Sequence, residues 1–159
     1  MDVVIRPGGE ADRPALIEQF HGLNLHEDAI IGNRRTDAAG AEACLEAAER
    51  EVARSGGLVL VAEAGGRVLG HVFIVMRQDA VFVREALRPY AYVLELFVRA
   101  EARGLGIGST LLAEAERFAR SKGMARLRIG VLAGNDGAEA LYRRTGFAPA
   151  SIEMDKALR

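Results

Sequence analysis

The chain has 159 residues, half of them hydrophobic, and a formal net charge of −1 at pH 7, which fits one domain over residues 1–159 with material for a real core. Acids and bases are interspersed, which argues against a bulk nucleic-acid or anionic-membrane surface, and no apolar run approaches the roughly 18 residues of a membrane helix. The opening Met1-Asp2-Val3-Val4-Ile5-Arg6 lacks the start of a signal peptide, and the single Cys44 can form no internal disulfide, so a cytoplasmic protein without a metal is expected.

Residues 3–6 read as a short strand, broken by Pro7-Gly8-Gly9. Asp12 can cap a helix running from about Pro14 into the low twenties. Residues 21–37 are polar and mixed and read as loop, with helix as the open alternative. Residues 38–55 are rich in Ala, Glu and Arg, with Leu45, Ala48 and Val52 at helical spacing, and Gly56-Gly57 stops that helix. Two apolar runs follow, residues 58–63 and 68–76, joined by a turn containing Gly65-Gly66 that predicts a hairpin. Residues 77–89 are polar and predict a loop. Residues 92–98 are apolar except for Glu95, as in a strand covered on both faces.

Beyond Val98 the rhythm changes. A glycine-rich turn leads into a helix from about Gly106 to Lys122, with Ile107, Leu111, Ala115 and Phe118 on one stripe and Gly123 at its stop. Residues 126–132 predict a strand. Asn135 opens a short helix with Ala138, Leu141, Tyr142 and Thr145 on one face, ended by Gly146, and residues 148–155 predict a last strand. A meander of strands followed by strand-helix-strand-helix predicts a mixed sheet with the parallel crossover near its middle.

The turn Arg103-Gly104-Leu105-Gly106-Ile107-Gly108-Ser109 stands where a strand enters a helix. The first backbone N–H groups of a helix lack internal partners and carry partial positive charge, and glycines let them approach a ligand closely. No acidic residue occurs from Arg103 until Glu114, and Arg103 adds a cation at the mouth. The pattern suits a phosphate, although a tight turn packed on its glycines is the plainer alternative. The dinucleotide fingerprint would need a glycine where Ser109 stands and an acid near residues 123–128, and the nucleotide P-loop would need Gly-Lys-Ser/Thr; none is present.

Arg103, Gly106 and Gly108 after Leu96-Phe97-Val98, together with Asn135, Ala138, Leu141-Tyr142 and Gly146-Phe147, make the chain resemble the GNAT superfamily of N-acetyltransferases. Ala100 departs from a proline common there. The resemblance implies an α/β (α+β) fold. Its sheet is mixed and mostly antiparallel, of about six to seven strands, with helices on both faces and a splayed parallel strand pair. It implies acetyl-CoA as cosubstrate. The amides of Arg103, Gly104, Leu105, Gly106, Ile107, Gly108 and Ser109 would hold the pyrophosphate. Main-chain groups of Leu96, Phe97 and Val98 would pair with the pantetheine amides, and Asn135 and Tyr142 would contact the cofactor. Gly130 is compatible with the splay this requires.

Acetyl transfer needs an unprotonated amine, and neutralising a lysine-like amine at pH 7 costs about 4–5 kcal/mol against about 1 for an α-amino group. The resemblance gives Tyr142 as the acid that donates to the departing sulfur; a core aromatic is the alternative. Glu95 interrupts an apolar strand, so it is either a base facing the cleft or a structural carboxylate. Tyr90 and Tyr92 are weaker cleft candidates. Asn135 is also a good helix cap. His71 reads as a core or surface residue, while His21 and His26 fall where acceptors usually bind. Cys44 reads as a small helix residue and Arg34-Arg35 as a solvated face. The implied acceptor is a small-molecule or amino-acid-like amine. A protein N-terminal or lysine acetyltransferase, a non-catalytic acyl-CoA sensor and a dinucleotide oxidoreductase are the alternatives. Neither nucleic acid nor membrane is expected as a partner, and a homodimer through the last strand is plausible for the fold.

Overall fold

The computed structural model describes residues 2–159; Met1, part of the opening segment read above, lies outside the described residues. One five-stranded sheet has its strands in sequence order: β1 (Val4–Pro7), β2 (Leu58–Ala64), β3 (Arg67–Gln78), β4 (Pro89–Val98) and β5 (Leu127–Ile129). β1 to β4 pair antiparallel and β4 pairs β5 in parallel. The helices are α1 (Arg13–Ile31), α2 (Ala38–Ser55), α3 (Ile107–Ser121) and α4 (Asp136–Arg144). None of the described helices is long and apolar enough to cross a membrane.

Strand alternation sorts the core into two layers. Leu60, Ala62, Val72 and Ile74 turn to one face, where they meet Ile107, Leu111 and Ala115 of α3. Val61 and Phe73 turn to the other, where they meet Leu16, Phe20, Ala41, Leu45 and Ala48 of α1 and α2. The expected helical stripes of α2 and α3 are therefore the buried faces, and helices cover both sides of the sheet.

Several expectations are corrected. Residues 21–31 are helix, not loop: α1 continues to Ile31 and stops at Gly32, whose φ of 70° and N–H to Asp28 O close it. The segment reads as loop because it holds Gly22 and several polar residues. Gly22 instead makes room for a neighbour, since a Cβ there would lie 3.0 Å from Phe97 Cζ. The buried Asn24 is satisfied by the Arg35 carbonyl, to which its Nδ2 donates at 2.9 Å. Asp12 stands at the helix start, but its carboxylate accepts from Gly9 N–H and from both Arg6 nitrogens rather than capping α1.

β5 is shorter than expected because its ladder ends at Val93↔Ile129, which leaves residues 130–132 without a strand partner. No strand follows α4 among the described residues; Ile152 and Met154 are 82% and 87% exposed. The sheet accordingly has five strands rather than six or seven, and its parallel pair lies at the edge rather than the middle.

Candidate active site

Where β4 and β5 part, a cleft of about 1150 Å³ opens between α1, β4, the start of α3 and α4. Its floor is set by a β-bulge. Phe73 pairs with Glu95 but Ile74 pairs with Val93, so Leu94 is the extra residue. Val93, Leu96 and Val98 all pack on the α3 side, although an uninterrupted strand would turn Val93 and Leu96 to opposite faces. The bulge thereby re-aims Glu95 into the cleft, opposite Glu27 and Arg34 of the α1 side.

The glycine turn forms one end. Gly104 and Gly106 hold φ of 78° and 80°, a left-handed backbone that favours glycine, and nothing lies within 4 Å of where their Cβ atoms would be. The first turn of α3 carries no acid, and its first helical bond runs from Thr110 N–H to Gly106 O, so the amides of residues 104–109 stay open; the Arg103 amide, expected among them, is instead bonded to Ala100 O at 3.3 Å. Gly108 answers to packing instead: a Cβ there would press Leu141 Cδ2 at 3.0 Å. Beyond Val93, the β5-side edge of β4 has no ladder partner, which leaves a slot along Leu96, Phe97 and Val98. Arg103 Nε donates to Val98 O at 3.1 Å and so closes one end of that slot. Open amides at a helix start and a free strand edge fit a diphosphate joined to an amide-bearing arm.

Glu95 and Tyr142 line this cleft together. Burial first, then the charge of Glu27, pushes the Glu95 carboxyl up to about 7, with Arg34 pulling the other way. Burial, then Glu27, Glu95 and Tyr92, pushes the Tyr142 phenol up to about 12. Asn135 caps α4, its Oδ1 accepting from Ala138 N–H at 3.4 Å, and stands 3.5 Å from His26 Nε2.

Glu95, Leu96, Phe97, Val98, Arg103, Gly104, Gly106, Ile107, Gly108, Ser109, Asn135 and Tyr142 thus share one cleft wall, while the Leu105 side chain is 57% exposed outside it. Tyr92 lines the cleft, and its Oη would lie 2.8 Å from a Cβ on Gly130, so that glycine marks a close approach. Tyr90 does not; it is buried beneath the Arg126 and Arg128 guanidiniums. His71 is a core residue stacked on Phe20, with Nδ1 bonded to Gln19 Oε1 at 2.8 Å. His21 is pinned to Thr36 O, and Cys44 lies beside Asn24, away from the cleft.

The α1 wall, Leu23, His26, Glu27 and Ile30, with Arg34 just beyond the helix, escaped the sequence apart from His26, because reading the segment as loop hid its helical face. Arg34 in particular is no solvated residue: it lines the cleft in an ion pair with Glu27.

The profile of the acetyltransferase (GNAT) family matches residues 25–147, the stretch holding the turn, the splay and α4. The chain belongs to this GNAT family of acetyltransferases. It is similar to a Pseudomonas paraeruginosa (strain DSM 24068 / PA7) protein named L-methionine sulfoximine/L-methionine sulfone acetyltransferase. The two are 30% identical over 148 residues, 92% of this chain and 81% of the relative. The crystal structure of a ribosomal-protein-alanine N-acetyltransferase from Brucella melitensis is 31% identical with a TM-score of 0.71, over 93% of this chain and 86% of that one. An aminoglycoside antibiotic 6′-N-acetyltransferase from Acinetobacter haemolyticus superposes with a TM-score of 0.73 over 98% and 99% of the chains, a likeness of fold at 18% identity. As a GNAT acetyltransferase, the protein is an acyl-transfer enzyme, and the dinucleotide oxidoreductase alternative falls away.

Proposed function

We propose that the chain, acting as one domain, moves an acetyl group from acetyl-CoA to the primary amine of a small, amino-acid-like acceptor by direct attack within a ternary complex. The observation that carries this reading is the meeting of Glu95 and Tyr142 in one cleft that also reaches the open amides of the α3 turn. Acetyl-CoA, when bound, supplies a thioester carbonyl. The amides of residues 104–109 hold its diphosphate, and the free edge of Leu96, Phe97 and Val98 aligns its arm. Glu95 has a carboxyl near 7, so its ionised form takes the ammonium proton at neutral pH. The amine nitrogen then bonds to the carbonyl carbon as the carbon–sulfur bond breaks. Tyr142, kept protonated by its raised pKa, donates to the departing sulfur, and the second proton shed by the acylated nitrogen restores the phenol.

The small acceptor is supported by the relative that acts on methionine sulfoximine and methionine sulfone. The ribosomal-protein-alanine relative favours a second reading, a protein N-terminal amine. Thiol release measured with acetyl-CoA against L-methionine sulfone, other amino acids, alkylamines and Ala-initiated peptides separates them. Our reading expects turnover with the small amines above that with the peptides; the reverse order would overturn it.

A further inference from the structure

The transfer step uses neither Glu27 nor Arg34, yet both line the same cleft as Glu95. Leu23, Glu27 and Ile30 lie four and three residues apart on one face of α1, and Arg34 follows in the turn after Gly32. That turn is held firmly: Arg34 N–H donates to Asp28 Oδ1 at 2.9 Å, Nε to Glu27 Oε2 at 2.6 Å, and Nη1 to Asn33 Oδ1 at 2.7 Å. A guanidinium has five N–H donors, so three remain, all on Nη1 and Nη2. The side chain is 31% exposed and opens on the cleft rather than on bulk solvent alone. Glu27 and Asn33 use less than Arg34 can bond, and its uncommitted Nη donors suit a carboxylate.

The Arg34 charge reaches Glu95 across the cleft that both line. An α-amino acid carries its amine and its carboxylate on one carbon. With the amine turned to Glu95, the carboxylate could reach Arg34 and the side chain could lie along Leu23 and Ile30, all of which line the same cleft. A plain alkylamine would leave the fork unanswered. We propose that Arg34 is the carboxylate clamp of the acceptor site, held in place by Glu27, and that it selects acceptors bearing a carboxylate beside the reacting amine. This deepens the function proposed above and rests on it for the identity of the reaction.

The test pairs each of a panel of free L-amino acids, apolar and polar, with its own carboxamide. Transfer is read as kcat/KM with acetyl-CoA, and binding to the CoA-loaded protein is read by calorimetry, which needs no turnover. The wild type should favour at least one acid over its amide by about 10- to 100-fold, the range of a charged hydrogen-bonded contact. Arg34→Met should bring that ratio to near one, chiefly through KM, and Arg34→Lys should fall between, having charge without the fork. The acetyl-CoA affinity of each variant reports that it has folded. Amides that match or exceed their acids throughout, or an Arg34→Met loss equal for both, would overturn the clamp while leaving the acetyltransferase reading intact. Acid-selective binding that depends on Arg34 without transfer to any amine would uphold the clamp and remove the reaction.

Discussion

Burial raises the proton affinity of Glu95 and Tyr142 alike, yet the two end in opposite states. A carboxyl lifted to about 7 is divided between its forms at neutral pH, whereas a phenol lifted to about 12 stays protonated. That difference underlies the roles proposed for them, base for Glu95 and acid for Tyr142. With Glu95 as the proposed base, kcat/KM should rise as pH climbs through about 7, and Glu95→Gln should lose this limb together with roughly 10²-fold in rate. A pH–rate profile identical in the variant would place the base elsewhere. Tyr142→Phe should lower kcat by about 10², near the low end for acid catalysis because a thiol leaves fairly well unaided, with little change in acetyl-CoA affinity. Both residues were legible in the sequence, Tyr142 through its motif and Glu95 as an acid in an apolar run. Arg34 was not. Its neighbour Arg35 is the exposed residue both were expected to be, and the direction each takes depends on where α1 ends.

The elements that read well are those fixed by local backbone chemistry. The turn before α3 needs left-handed residues at positions 104 and 106, and glycines stand there. The α4 cap needs a short acceptor side chain, and Asn135 supplies it. Gly106→Ala should therefore cost about 1–2 kcal/mol of stability from its left-handed backbone and weaken acetyl-CoA binding roughly tenfold, measured by denaturant titration and calorimetry. Unaltered affinity would mean the turn serves packing alone. The elements that read poorly depend on distant partners. Gly22 looks like a helix breaker until the Phe97 ring is seen against it. The bulge at Leu94 is visible only in the pairing with β3, and the length of β5 follows from where β4 leaves it.

At the scale of the whole molecule, two buried groups set opposing pH dependences. His71 is fully enclosed, with Nε2 unpartnered, and burial lowers its pKa to about 3. The unfolded imidazole takes a proton near 6.5 while the folded one does not, so acidification from pH 6.5 toward 3 favours unfolding. Glu95 runs the other way: folded, it protonates near 7, and unfolded nearer 4.5, so acidification through that window favours the folded chain. Between pH 6.5 and 4.5 the two slopes, each about 1.4 kcal/mol per pH unit at most, should nearly cancel. Urea unfolding across this range should show His71→Phe gaining stability on acidification relative to wild type and Glu95→Gln losing it. Parallel curves for all three would contradict the assignment of either group. The layered architecture itself was legible, since the stripes of α2 and α3 and the β2–β3 hairpin are local patterns. The missing sixth strand was not, because alternation in residues 148–155 specifies a strand only if an edge accepts it.

Each of these effects presupposes that the cleft between the α3 turn and the free edge of β4 takes acetyl-CoA. Calorimetric titration of the wild-type chain with acetyl-CoA, beside NAD as a control, tests this most directly. Saturable binding at micromolar acetyl-CoA with none to NAD is the predicted result; no heat of binding at millimolar acetyl-CoA would contradict it.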